Sequence, residues 1–172
     1  MKSTKKMVYI SLLVSQALVL YIIESMLPVP FIAPGAKLGL PNLITVIGLY
    51  TLSYGDTFLI VILRVILSTL FAGTMTSFLY SISGAVLSFI IMCIVKKIGS
   101  DKVSIIGVSA AGAVFHNVGQ IIVAALVIQN INIALYLPIL NITGIATGIF
   151  IGITANYAVT YVKRIPYLNN IK

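Results

Sequence analysis

The uncharged stretch from Ser104 to Ile128 constrains the fold of this chain more than any other segment. If His116 is neutral, the stretch carries no charge, and it exceeds the about 20 apolar residues that a helix needs to cross a bilayer. Its centre nevertheless holds His116, Asn117 and Gln120, which share one broad helical face through i, i+3 and i, i+4 spacings. Polar side chains at membrane depth are costly unless they face a bundle interior or a water-filled cavity. The stretch therefore predicts a membrane helix with a polar side that faces inward.

This polar face has two interpretations. The three side chains can bind a ligand in a cavity between helices, or they can join helices by interhelical hydrogen bonds, as polar residues in membranes do. The sequence favours the ligand site and leaves the second interpretation open.

The composition indicates an integral membrane protein. Of the 172 residues, 60% are hydrophobic and 8% are charged, whereas a soluble domain carries about 25% charged residues. A formal net charge of +8 can indicate nucleic-acid binding, but the basic residues lie at the ends of apolar segments, so no nucleic-acid partner is predicted. A single cysteine and a single histidine give no zinc motif, and neither a metal site nor a cofactor is expected.

Apolar segments separated by charged or proline-rich connections predict six transmembrane helices in a single domain, residues 1–172. The first segment is longer than a usual signal-peptide core and no A-x-A-type cleavage site follows it, so we interpret it as a retained membrane helix. The predicted class is an all-α integral membrane protein, a six-helix bundle, with helices at about 7–27, 38–54, 57–72, 76–95, 104–128 and 133–161.

The distribution of basic residues predicts the orientation of this bundle. With six helices both termini lie on one side of the membrane, and most basic residues at the boundaries fall on that side, whereas Lys37 falls on the other. By the positive-inside rule the termini are cytoplasmic, and a multi-pass protein of the cell membrane is predicted. The basic residues on the side of the termini are Lys2, Lys5, Lys6, Lys96, Lys97, Lys102, Lys163, Arg164 and Lys172.

The same topology gathers candidate substrate-binding residues towards the outer half of the membrane, as an outward-opening site requires. The candidates are Glu24, Lys37, Asn42, His116, Asn117 and Gln120. Arg64 and Tyr80 are candidates of second rank. An arginine in the middle of a membrane costs several kcal/mol unless a carboxylate, carbonyl groups, water or an anionic ligand compensates it. The sequence slightly favours a structural or gating role for Arg64 over ligand contact and leaves its pairing with Glu24 open.

Small residues at helical spacing predict close helix packing in two places. Ser11 and Ser15 form a small-xxx-small pair in the first helix, which lets another helix approach closely. Gly144, Gly148 and Gly152 form a GxxxGxxxG run in the last helix, for which we predict intramolecular packing rather than homodimerisation.

Several segments in order along the chain resemble the Gx transporter family, whose members also carry the label heptaprenyl diphosphate synthase component I. The specific elements are the HN-x-GQ motif, from His116 to Gln120, and the P-G-x-KLGL-x-N motif, from Pro34 to Asn42. The matching segments cover nearly all of the chain and read YIIESMLPVPFIAPGAKLGLPNLIT, LRVILSTLFAG, SFLYSISGAVLS, SIIGVSAAGAVFHNVGQ and LPILNITGIATG.

The resemblance implies a substrate-binding S component of an energy-coupling factor (ECF) transporter. Such components are six-helix membrane proteins with cytoplasmic termini that capture vitamins or related small molecules near the outer face. A T component and two ATPase subunits then drive transport. Small residues on the first helix dock the T component, a role that falls here to Ser11 and Ser15, although serine departs from the usual alanine pattern.

The label of the family implies a prenyl-chain synthase, but the residues argue against catalysis by this chain. Such a synthase needs paired acids to hold Mg²⁺ on a diphosphate, and the three acids, Glu24, Asp56 and Asp101, are far apart in the sequence. A Walker A loop for ATP hydrolysis is also missing from the sequence. No catalytic residue is predicted, and the chain is not expected to be an enzyme.

Three functional hypotheses follow from the sequence. The first is a substrate-binding subunit of a vitamin-type importer, with the proline-rich loop before Lys37 as a lid. The second is a non-catalytic membrane subunit associated with a prenyl (heptaprenyl) diphosphate synthase. The third is a structural membrane protein in which the polar residues only join helices. The residue types suit an amphipathic ligand with hydrogen-bonding edges, such as a flavin, a quinone precursor or an isoprenoid phosphate.

Overall fold

A computed structural model describes residues 2–26, 39–99 and 102–165 of the chain. All regular secondary structure in these residues is helical, which confirms the all-α class. The helices are α1 (Lys2–Met26), α2 (Asn42–Thr51), α3 (Tyr54–Ala72), α4 (Met75–Gly99), α5 (Ile105–Ile128) and α6 (Leu137–Lys163), and a 3₁₀ helix (Ile131–Tyr136) precedes α6.

Side-chain caps and turn residues set several of these boundaries. The Ser53 and Ser104 hydroxyls accept hydrogen bonds from backbone N–H groups in the first turns of α3 and α5, and such caps satisfy donors that have no partner within the helix. Gln129 ends α5 in the left-handed region, with φ of 53°. Pro138 lies in the first turn of α6, where its missing N–H costs nothing.

The long helices identify a multi-pass membrane protein. Among the described residues, α1, α3, α4, α5 and the segment from Ile131 to Lys163 are long and apolar enough to cross a membrane. Large apolar side chains on their outer faces are exposed, for example Leu70, Phe71, Leu126 and Ile142. Apolar surface of this extent is a liability in water but suits contact with lipid chains.

The short helix α2 occupies the centre of the bundle. Its 10 residues span about 15 Å, which is half of a hydrocarbon core. It packs against each of the five other α-helices, and seven of its residues are buried, from Asn42 to Leu49. The helix predicted for residues 38–54 is shorter in the structure because Gly39 is left-handed (φ 83°) and Ser53 already caps α3.

The other helices surround α2 in the order α1, α3, α4, α5, α6, each packed against the next. Within the described residues α1 and α6, at the two ends of this row, do not contact each other. A gap is therefore left between them on the side of α2.

Glycines allow α5 and α6 to pack at close range. A Cβ atom at Gly148 would lie 2.8 Å from Ala110 Cα, and one at Gly152 would lie 2.6 Å from Ile106 Cα. Both distances are too short for a real side chain, so the backbones can cross only because these positions are glycine. The prediction that the glycine run of α6 packs within the molecule is confirmed.

At one end of the bundle, α1, α3 and α5 begin and α2, α4 and α6 end. We call this the basic end. Lys6 forms a salt bridge with Asp56 at 2.7 Å. Lys96 donates to the Leu49 carbonyl at 2.5 Å, and its ammonium lies over the Tyr50 ring. A cation at the C-terminus of a helix stabilises its last carbonyl groups, so Lys96 of α4 fixes that end of α2.

Candidate functional site

A small polar cavity lies at the opposite end of α2 from Lys96. Its volume is about 20 Å³, enough for about one water molecule. Residues from four of the six helices (α1, α3, α4 and α5) and from the segment before α2 line it: Tyr21, Glu24, Gly39, Pro41, Arg64, Val65, Ser68, Ser81, His116 and Gln120. A cavity lined by so many polar side chains is a candidate binding site.

Glu24 of α1 is connected to the chain just before α2. The side chain is 3% exposed, and its Oε1 accepts a hydrogen bond from the Gly39 backbone N–H at 2.5 Å. Gly39 has φ of 83°, and a Cβ there would lie 2.9 Å from Asn42 Nδ2. Only glycine therefore suits this position, where the backbone approaches both the carboxylate and the start of α2.

Arg64 of α3 brings a buried positive charge to the same cavity. One guanidinium nitrogen, Nη2, donates to Asn42 Oδ1 at 2.9 Å, whereas Nε has no hydrogen-bond partner among the described residues. Arg64 and Glu24 line one cavity, and opposite charges attract more strongly in a protein interior than in water. The structure thus supplies Arg64 with both a neighbouring carboxylate and an amide oxygen.

His116 and Gln120 form the α5 wall of the cavity. Gln120 Nε2 and His116 Nε2 are 3.0 Å apart, and both residues are buried. The imidazole ring lies against Gly84 of α4, where a Cβ would be 3.0 Å from His116 Cε1. His116 Nδ1 makes no hydrogen bond of good geometry to the described residues, and the same holds for Gln120 Oε1.

Three buried polar atoms that make no hydrogen bond of good geometry to the described residues therefore belong to residues that line one cavity: Arg64 Nε, His116 Nδ1 and Gln120 Oε1. A buried polar atom without a partner costs about 1–3 kcal/mol. Such groups are stabilised when water or a ligand supplies the missing donors and acceptors. The arrangement can bind a polar group that accepts a hydrogen bond from Arg64 Nε and donates one to Gln120 Oε1.

The structure brings four of the predicted site residues to the cavity wall, Glu24, Arg64, His116 and Gln120, and places Asn42 in contact with Arg64. Asn117 lies elsewhere, because its amide donates to the Leu140 carbonyl of α6 at 2.6 Å. Tyr80 is buried but is not among the residues that line the cavity. Lys37 and the proline-rich loop before it lie outside the described residues. The predicted docking residues Ser11 and Ser15 are exposed on α1.

Sequence reasoning missed several residues of the wall. Tyr21 and Ser68 lie one turn from predicted residues, at i−3 from Glu24 and i+4 from Arg64. Residues at these spacings share a helical face, so extending each predicted residue by one turn would have found both. In the parts of the chain that the structure describes, no group of three or more His, Cys, Asp or Glu side chains could hold a metal ion.

Comparison with known proteins assigns the chain to a family. Neither the search of curated proteins nor the search of solved structures finds a match. The family described as heptaprenyl diphosphate synthase component I matches residues 13–158, which include every described residue of the cavity wall. The chain belongs to the heptaprenyl diphosphate synthase component I family.

Proposed function

We propose that this chain is the substrate-binding membrane subunit, the S component, of an ECF-type importer for a small vitamin- or cofactor-like molecule. The observation that carries the proposal is the polar cavity, whose lining residues include three buried polar atoms that make no hydrogen bond of good geometry to the described residues. Polar groups that serve only to join helices would find their partners in the neighbouring helix, as Asn117 does.

The proposed orientation follows from the charges. In a six-helix arrangement with cytoplasmic termini, the basic end faces the cytoplasm, as the positive-inside rule requires. The cavity, at the other end of α2, then lies in the outer half of the bundle, where a ligand arrives from outside. α2 by itself covers about half of the membrane.

The proposed ligand is amphipathic. The wall combines Arg64 and Glu24 with the imidazole of His116 and the amide of Gln120, so it suits a molecule with donors and acceptors on one edge. A flavin, a quinone precursor or an isoprenoid phosphate fits this description. The cavity of about 20 Å³ has to widen before such a molecule enters, so ligand binding is coupled to movement of the surrounding helices.

We propose that other subunits supply the energy for uptake, because the sequence contains no Walker A loop. A proton-coupled carrier, in which Glu24 and His116 take up and release the proton, is the alternative that the sequence leaves open. We propose a T component and two ATPase subunits as partners, and we assign no catalysis to this chain. Ser11 and Ser15 are proposed to dock the T component, since small exposed residues on α1 allow a close helix contact.

The ligand site is tested by native mass spectrometry of gently purified protein. We expect a vitamin-sized molecule to copurify with the unaltered chain. In His116→Ala and in Gln120→Ala the amount of bound ligand should fall by about tenfold or more, because each substitution removes hydrogen bonds to the ligand. Asn117→Ala is the matched control. It lies between the two on α5 but bonds α6, so it should lower stability and keep the ligand.

Two outcomes would contradict the ligand site. If His116→Ala and Gln120→Ala retain the ligand and only unfold more easily, these residues join helices. If ligand is lost equally from the Asn117→Ala control, the loss reports general destabilisation of the bundle and does not locate a site.

The docking surface is tested by Ser11→Leu and Ser15→Leu. We expect both substitutions to abolish copurification with a T component, because each places a large side chain on the face where the partner helix approaches. Ser25→Leu is the control. Ser25 is also exposed on α1, and its hydroxyl bonds a carbonyl of the preceding turn as that of Ser15 does. Unchanged association of the Ser11 and Ser15 variants would remove the docking assignment.

A second function is favoured by the family description, which names a synthase component. In that case the chain is a non-catalytic membrane subunit of a prenyl diphosphate synthase, and the bilayer anchors the complex. The same mass spectra distinguish the two functions. A stoichiometric prenyl synthase subunit without a bound small molecule would support the second function and leave the polar residues of α5 as packing groups.

A further inference from the structure

The gap between α1 and α6 forms an apolar groove at the basic end of the bundle. The groove has a volume of about 490 Å³, and its walls include Val8 and Leu12 of α1 and Val162 of α6. Val8 and Leu12 are 62% and 51% exposed, although side chains of this size on neighbouring helices normally pack together. The two helices do not contact each other in the described part of the chain, so an apolar groove is left between them at the basic end.

Positive charge surrounds the mouth of this groove. Lys5 and Thr4 line it, and α6 ends at Lys163 and Arg164, between the lining residues Val162 and Ile165. No acidic residue lines the groove. Asp56, the described acid at this end, forms a salt bridge with Lys6. The mouth is therefore cationic, while the walls are apolar.

We propose that this groove binds one anionic phospholipid, with the phosphate held between Lys5 and the Lys163–Arg164 end of α6 and an acyl chain along Val8 and Leu12. From Thr4 to Leu12 the groove follows α1 for about 12 Å, most of the depth of one leaflet of a bilayer with a core of about 30 Å. Charge at the interface and hydrocarbon below it match the two ends of a phospholipid.

The test compares lipids that share acyl chains and differ in charge. Purified full-length protein in detergent is titrated with dioleoyl phosphatidylglycerol or dioleoyl phosphatidylcholine, and bound lipid is counted by native mass spectrometry. We expect one tightly held phosphatidylglycerol and no equivalent phosphatidylcholine. The double variant Lys5→Gln/Lys163→Gln should bind phosphatidylglycerol about 30-fold more weakly, because each basic residue near the lipid surface strengthens binding about fivefold.

The control is Lys97→Gln/Lys102→Gln, which removes the same charge from the end of α4 and its connection to α5, whereas Lys5 lines the groove and Lys163 is next to the lining residue Val162. Equal weakening in both double variants would overturn the proposal, because it would indicate attraction by the whole basic surface. Equal retention of phosphatidylcholine would also overturn it. Leu12→Trp should displace the acyl chain and lower phosphatidylglycerol retention while the protein remains folded, and unchanged retention in this variant would contradict the proposed path of the chain.

Discussion

Arg64→Leu is expected to lower the free energy of unfolding by about 3–5 kcal/mol, the range for removing one member of a buried charged pair. The variant leaves Asn42 Oδ1 without the hydrogen bond that Arg64 donates at 2.9 Å. It also takes away the cation that shares the cavity with the Glu24 carboxylate. The measurement is unfolding of the purified protein by increasing amounts of denaturing detergent, followed by circular dichroism.

Two companion variants separate charge from packing. Arg64→Lys keeps the positive charge but loses the planar guanidinium. Its free energy of unfolding should therefore lie between those of the unaltered protein and Arg64→Leu. The double variant Arg64→Leu/Glu24→Leu should be more stable than the sum of the single losses predicts, because it removes both charges together. Strictly additive losses would show that the two charges do not stabilise each other across the cavity.

Gly152→Ala should destabilise the bundle by about 1–3 kcal/mol, the usual cost of overpacking a close-packed interior. The new Cβ would lie 2.6 Å from Ile106 Cα and 3.1 Å from Ser109 Cβ. The first of these is a backbone atom, so the contact can be relieved only by moving α6 away from α5. The same detergent titration measures the loss.

Gly55→Ala provides the matched control for this substitution. A Cβ at Gly55, in the first turn of α3, meets no atom within 4 Å. Alanine there should stabilise the protein by roughly 0.5 kcal/mol, because it restricts the unfolded chain and favours the helix. Equal effects at Gly152 and Gly55 would mean that the α5–α6 contact is looser than the structure shows.

The class of the fold could be predicted from the sequence because membrane helices leave a strong one-dimensional signal. Long apolar segments with few charges have no other stable arrangement in a bilayer, where every backbone group needs a partner. The all-helical, multi-pass class is confirmed, and so is the family that the motifs indicated. The six-span count and the orientation stay predictions.

The division of the α5 polar face could not be predicted. His116, Asn117 and Gln120 occupy one broad side of the helix, but His116 and Gln120 line the cavity while Asn117 bonds the Leu140 carbonyl. Periodicity shows which side of a helix faces inward, and it does not show which neighbour each residue meets. That depends on the position of α6, which approaches closely at Gly144, next to Asn117.

The position of Glu24 and Arg64 on one cavity could not be predicted from the sequence either. A depth estimate from helix lengths, at about 1.5 Å per residue, places Glu24 and Arg64 at different depths in the membrane, so the sequence leaves their pairing open. The structure places both on one cavity. Depth estimates of this kind assume straight, upright helices, whereas helices in membranes tilt by about 20° on average.

The central position of α2 has a consequence for the order in which the protein is made. A helix of 10 residues is too short to be stable alone in a bilayer core of about 30 Å, and it packs most extensively against α6, which follows the other five α-helices in the chain. Asn42, which holds Arg64, lies at the first turn of this helix. No described residue of α6 lines the polar cavity, but α6 packs on α2, so the position of Asn42 against Arg64 becomes fixed only after α6 has been inserted.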